Sequence, residues 1–426
     1  MNLGTSQIHI TPAPGGELSG FAARIQPSSG VLDRLYAKTL YLECDGTRLL
    51  WLHCDLVGFD RSIVQAFRDW AREKFDLAPG QVMLSATHTH AGPGTVHLRE
   101  AGEYDPAYVQ FLQSRIREAA EAAISQTEPV GLTVVEGHLS LAVDRRKAAT
   151  AHTDPRVAGI GFRRADGSFA TVLVNYAIHP VALGSTNRCV STDLFGEAAL
   201  RLAAQLPGHP VVFMTNGACA NLNPPAENVS WEQVKLWGRQ IADAVQPLLA
   251  DAPVQPQPRL QLLNQIVPLP LDTMDAQGIN EYARRALQNE RALAEWGDKY
   301  RRVVEHWRTT LLARYQLLAA QQHDAELFGM QLGGVILMGA NAEIFSQFTD
   351  ILRAHSNQPI YLVGYANGDM GYLPTRAAYA EGGYEVDVAH LFYGGFRPQA
   401  GGLELLAKAA TDLVRELGRP PETTVT

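Results

Sequence analysis

Two histidines one residue apart sit in the segment Ser85-Ala86-Thr87-His88-Thr89-His90-Ala91-Gly92-Pro93-Gly94. Val82 and Leu84 lead into it and a Gly/Pro turn follows, so the pattern predicts the end of a buried strand. Residues two apart on a strand share a face. Both imidazoles should then leave the carboxyl end of that strand, where open α/β sheets place their ligands. Convergent imidazoles suit a transition metal, Zn2+ first. Alone, such a pair reads better as hydrogen-bonded histidines beside a turn. Three later segments weigh toward metal. Val172 to Pro180 is an apolar strand ending in His179, with Pro180 holding that histidine extended. Val335 to Glu343 is a strand ending in Glu343, ahead of the helical stretch 344–354. Gly364 to Pro374 is a Gly/Asn loop displaying Tyr365 and Tyr372. Two histidines, a carboxylate and an open position form a common catalytic zinc set, which acidifies water and polarises an acyl oxygen.

The elements that must position these residues alternate between strand and helix. Residues 35–43 and 49–56 read as strands joined at Asp45-Gly46, a hairpin signal. Helical periodicity marks 61–75 and 106–125. Strands are expected at 132–137, 157–162, 169–177, 211–215 and 327–338, and helices at 195–204 and 231–249. Ala252 to Pro258, rich in Pro and Gln, reads as a linker. Gly278 to His323 is a long run of helix formers interrupted only at Gly297, read as a helical arm. It would be a solvated helix pair, or would suit a homo-oligomer contact. The class is α/β, a mixed β-sheet core flanked by helices, with 1–426 as one catalytic domain and 278–323 inserted within it.

The chain has 426 residues, 46% hydrophobic and 19% charged, with a net charge of −8. The charges form no basic block, which argues against nucleic acid as a partner. No apolar run approaches the roughly 20 residues of a membrane span. Cys44, Cys54, Cys189 and Cys219 are scattered and read as buried thiols of a reducing compartment. Together with an N-terminus lacking leader features, this makes a cytoplasmic protein the expectation.

These segments, in this order, resemble the N-terminal catalytic domain of the neutral/alkaline ceramidase family. The resemblance runs from about Ile8 to about Leu405. Its most specific part is Thr87 to Gly94. Asn175 to Pro180, Ala342 to Ile344, and Gly371 to Thr375 with Tyr379 and Tyr384-Glu385 follow in the family's order. The resemblance implies a zinc ion held by His88, His179, Glu343 and Tyr372. It places His90 beside the metal, near the substrate or the developing oxyanion, and Arg145 near the active site. Where the family carries a catalytic serine this chain has Asn223, and Asn221 stands at the family's aspartate. An amide cannot be a nucleophile but can donate to an oxyanion or a substrate hydroxyl. The family's C-terminal domain and leader have no counterpart in the sequence, and 278–323 looks like an insertion.

The expectation is therefore a zinc-dependent hydrolase of an amide or other acyl-type bond in a soluble, polar small-molecule substrate, with ceramide itself disfavoured. His90, Asn223 and Arg145 would act on the substrate. Asp193 would be the general base, with Asp55 as a second candidate. Asn187 and Asn221 add hydroxyl-binding groups, so a hydrolase of a glycan or lactone is the runner-up. A lapsed enzyme that keeps its metal is the third reading.

Overall fold

Three sheets carry the fold, and each contains one parallel strand pair at an edge. The structure, a computed structural model, describes residues 1–146, 151–255, 258–318 and 322–419. The first sheet holds β1 (Asn2–His9), β2 (Tyr36–Cys44), β3 (Thr47–Cys54), β4 (Val82–Ala86) and β5 (Thr127–Pro129) in the order β4-β3-β2-β1-β5. Asp45 and Gly46, at φ 49° and 81°, make the β2–β3 turn. That pair of positive φ values twists with the strands, as a two-residue hairpin requires. The second sheet holds β6 (Gly131–His138), β7 (Arg156–Arg163), β8 (Phe169–Tyr176) and β9 (Val211–Asn216) in the order β9-β8-β7-β6. The third is β10 (Leu260–Leu269), β11 (His323–Leu332), β12 (Val335–Ala340) and β13 (Ile360–Val363), side by side in that order.

Within these sheets β3 and β4, β8 and β9, and β12 and β13 run parallel. All six strands are rich in Val, Leu, Ile, Met and Phe and almost wholly buried, as parallel strands covered on both faces should be. One apolar cluster joins the sheets: Trp51 and Met83 from the first, Leu173 and Phe213 from the second, Phe328 and Leu337 from the third. With the sheets locked together, the carboxyl ends of the three parallel pairs open onto one region.

Helices α1 (Arg61–Phe75) and α2 (Pro106–Ser125) pack with the first sheet. Their starts are set by Asp60 and Asp105, whose carboxylates accept the N–H of Ser62 and Tyr108. Such caps satisfy amides that the helix itself cannot. Helices α3 (Leu194–Gln205) and α4 (Trp231–Asp251) bury Leu194, Ala198, Leu202, Val234, Ile241 and Val245 in the same core.

Two expectations are corrected. The stretch 327–338 is not one strand: β11 turns back into β12 through Gly333-Gly334, with Gly333 at φ 57°. Nor does 278–323 project as an arm or lie as a solvated pair. It forms α5 (Ala276–Ala286) and α6 (Glu290–Leu318), the latter bent at Gly297 (φ 53°), and His323 already belongs to β11. Ile279, Ala283, Tyr300, Val303, Val304, Trp307 and Leu311 are buried against Val57, Leu98, Leu391 and Phe392 of the body. The periodicity is amphipathic enough to suit a free helix pair, and only the partner surface decides where its apolar face goes. Part of the linker expected at 252–258, and residues 319–321 of the arm, lie outside the described residues.

Candidate metal centre and active site

His88 does not lie on the strand. Strand β4 ends at Ala86, and His88 follows in left-handed backbone at φ 62°. That conformation costs a non-glycine residue of order 1 kcal/mol and concentrates at functional sites. The two imidazoles still converge, with His88 Nε2 and His90 Nε2 3.1 Å apart. Strand alternation was the wrong reason for a correct expectation: the turn, not the pleat, brings them together.

Each parallel pair supplies one donor atom and a support for it. After β4, His88 points its Nδ1 at the Val57 carbonyl (2.5 Å), on the chain leaving β3. After β8, His179 points its Nδ1 at the carbonyls of Cys219 (2.7 Å) and Leu222 (3.1 Å), on the chain leaving β9. A carbonyl can only accept, so in both rings Nδ1 carries the proton and Nε2 keeps its lone pair. After β12 comes Glu343, whose Oε2 is 3.2 Å from His179 Nε2 and 3.5 Å from His88 Nε2. Its Oε1 accepts from Tyr393 Oη at 2.9 Å. All three donors are at most 2% exposed.

This arrangement fits a divalent cation. Zinc–nitrogen and zinc–oxygen bonds of about 2.0–2.1 Å put neighbouring donors of a tetrahedral site roughly 3.3 Å apart. The 3.2 and 3.5 Å separations bracket that spacing. The fixed tautomers also turn lone pairs, not protons, toward the common point, which is what a cation needs. A histidine-only group of His88, His90 and His179 shares the same point. Burial pushes the His90 and His179 imidazoles below the usual histidine range.

Tyr372 enters from the strand Tyr372–Leu373, paired in register with Glu343–Ile344. Its Oη accepts from Arg145 Nη2 at 3.0 Å. Arg145 also donates Nε to Glu385 Oε1 (2.8 Å) and Nη1 to Asn223 Oδ1 (3.4 Å), and its backbone N–H meets Asn221 O (2.9 Å). Asn223 holds its other side through Nδ2 to Glu227 Oε1 at 2.7 Å. The pairing of Leu222–Asn223 with Val143–Asp144 brings these two distant segments together.

The centre opens on a cavity of about 630 Å³. His88, His90, Arg145, Asn223, Glu343 and Tyr372 all line it. Apolar Phe21, Val57, Leu98 and Phe392 line it as well, with Trp296 from α6 and Tyr384. The cavity is therefore less uniformly polar than the asparagine-rich motifs suggest.

Four expected participants serve elsewhere. Asp193 caps α3, and its carboxylate takes the backbone N–H of Ala182, Leu183 and Leu194. It does not line the cavity, so it is withdrawn as general base. Asp55 lies 2% exposed, 3.7 Å from Lys38 and bonded to Tyr36 N–H. Asn221 holds Asp144 and Ser346, and Asn187 bonds Cys189, which removes two of the groups that favoured a glycan. Conversely, Tyr393, Glu227 and Trp296 carried no readable motif, because only the tertiary fold brings them to the cavity.

A cluster of two histidines and a carboxylate just past the strand ends, beside a half-buried arginine and a mixed cavity, defines an α/β protein with a candidate metal centre. A family model described as neutral/alkaline non-lysosomal ceramidase, N-terminal, matches residues 1–214, and the chain belongs to that family. The neutral ceramidase of Pseudomonas aeruginosa is 24% identical over 222 residues, covering 46% of this chain and 32% of that protein. That of Drosophila pseudoobscura pseudoobscura is 22% identical over 271 residues, covering 56% and 38%. These alignments thus span about a third of the length of the curated relatives. The crystal structure of the P. aeruginosa neutral ceramidase has the same fold, with a TM-score of 0.72 at 18% identity, covering 98% of this chain and 75% of that one. Among the described residues no helix is long and apolar enough to cross a membrane.

Proposed function

We propose that the chain is a zinc-dependent hydrolase of an acyl amide. His88, His179, Glu343 and Tyr372 would hold the cation, and His90 would face the substrate. The observation that carries this reading is the meeting of two Nε2 lone pairs and a carboxylate oxygen at 3.2–3.5 Å. The cation would supply Lewis acidity to the acyl oxygen and a lowered pKa to water.

The chain's own residues do the rest. Arg145, cationic and anchored by Glu385, offers N–H donors where negative charge develops on the acyl oxygen. Asn223 offers its remaining amide proton to the same region or to a substrate hydroxyl. Glu227, raised by burial and held by Asn223, is the cavity carboxyl suited to take a proton. Phe21, Val57, Leu98 and Phe392 supply apolar lining that suits a short acyl group, while the polar lining residues Arg145, Asn223 and Glu227 suit a polar leaving group. A substrate with two long chains would need more apolar lining than this, which keeps ceramide disfavoured.

The test is a hydrolysis panel of N-acyl amides of graded chain length, esters, lactones and ceramide, run with chelator and after zinc restoration. Chelator-sensitive cleavage of an acyl amide is expected. Turnover of lactones alone would select the runner-up, and no turnover of any member would select the lapsed enzyme.

A further inference from the structure

In two of the three parallel pairs the supporting strand runs into a carbonyl that fixes a histidine. In the third, β13 runs into Tyr365. We propose that Tyr365 is a positioning residue of the metal centre, fixing the Glu343 carboxylate and the plane of the His88 ring. The proposal rests on the metal-hydrolase reading above.

Tyr365 is 1% exposed and sits at φ 54°, in left-handed backbone that a bulky residue rarely adopts. The segment around it is tied to the strands that lead to the centre. Gly364 N–H donates to Asn216 O at the end of β9 (3.0 Å), and Ala366 N–H to Ala340 O at the end of β12 (2.9 Å). Asn367 and Leu84 of β4 exchange two bonds, at 2.7 and 2.9 Å. So held, the phenol places Oη 3.4 Å from Glu343 Oε2 and 3.4 Å from His179 Nε2. Its ring lies on the His88 imidazole, centroids 3.8 Å apart and planes 9° apart.

That stack decides between ligand and support. A cation would be held by His88 through the Nε2 lone pair at the edge of the imidazole ring. The phenol occupies the next plane, roughly one van der Waals thickness (about 3.5 Å) away. Its oxygen therefore reaches the donor atoms from outside the imidazole plane and would act on them by hydrogen bonding. Donating to Glu343 Oε2, it orients that carboxylate, while the ring stops His88 from tilting. Partners of metal ligands in this role typically contribute 10- to 100-fold in metal affinity.

The experiment compares Tyr365→Phe and Tyr365→Leu with the wild-type chain, each first shown to be folded by circular dichroism. Zinc affinity is measured by chelator competition, and the cobalt-substituted forms by visible absorption. Tyr365→Phe should bind zinc about 10-fold more weakly, Tyr365→Leu about 100-fold, and both should shift the cobalt bands. Zinc affinity within twofold of wild type and an unshifted cobalt spectrum in both would overturn the proposal, even if both melt earlier, since packing alone then explains Tyr365. If Tyr365→Leu does not fold, Tyr365→Phe decides. A wild-type chain that takes up neither metal defeats the underlying metal reading, an outcome distinct from the variant comparison.

Discussion

Arg145→Ala probes the link between the centre and the substrate cavity. The arginine side chain, 25% exposed, bonds Glu385, Tyr372 and Asn223 and lies 5.5 Å and 5.7 Å over the Tyr372 and Tyr384 rings. Breaking a buried ion pair usually costs about 3–5 kcal/mol because the remaining charge is left alone. Here Glu385 keeps Arg146, at 2.6 Å, so the loss reduces to the charged hydrogen bonds, about 2–3 kcal/mol. Unfolding entropy of about 2.1 cal/mol/K per residue over 426 residues converts that to a fall in Tm of roughly 3 °C. The catalytic loss should be larger: a preorganised donor facing developing charge is worth about 10²–10³ in kcat. Lysine cannot serve the three separate acceptors at once, so Arg145→Lys should rescue stability better than rate. Calorimetry and steady-state kinetics on the best acyl amide of the panel would read both. An Arg145→Ala enzyme with unchanged kcat/KM would refute the assignment of Arg145 to the site.

The packing of α6 against the body is tested by Trp307→Ala. The ring is fully buried and its Nε1–H donates to Gly395 O at 2.9 Å. Calorimetry should show about 3–5 kcal/mol lost, and a change below 1 kcal/mol would mean the helix is not part of the core. Acid sensitivity has a defined sign. Burial holds His53 and His390 down at about 3, so the folded chain keeps them neutral while the unfolded chain takes up protons below about 6.5. Their stabilisation is whole above that pH and drains as pH falls toward 3, by up to about 1.4 kcal/mol per unit for each. Asp33 and Asp193, raised to about 6 by burial, act oppositely between about pH 4 and 6. These opposing contributions largely cancel in the wild-type chain, so the readout is the difference: between pH 6.5 and 4 His53→Asn should lose less melting temperature than wild type. An equal slope in that variant would refute the account of His53.

Much of this was legible because the donor atoms sit at places where local sequence speaks. His179 and Glu343 each lie three residues past the end of an apolar strand, and strand ends are marked by a change of composition. Helices 61–75 and 106–125 were readable to the residue because Asp60 and Asp105 cap them and their stripes keep one period. What failed depends on partners far along the chain. The apolar stripe of 278–323 does not name the surface it covers. Asp193 reads the same as a base or a cap until its three amides are located. His88 looks like a strand residue until its φ of 62° is known. Tyr365 and Tyr372 share one loop, where the family resemblance singles out Tyr372 alone; the His88 stack of Tyr365 is visible only in the fold.

The most direct measurement is the metal content of the purified chain and of His179→Ala, by elemental analysis on folded protein. One divalent cation per wild-type chain, zinc on reconstitution, and its loss in the variant are predicted. Full occupancy without His179, or a wild-type chain that refuses zinc while correctly folded, would contradict the account.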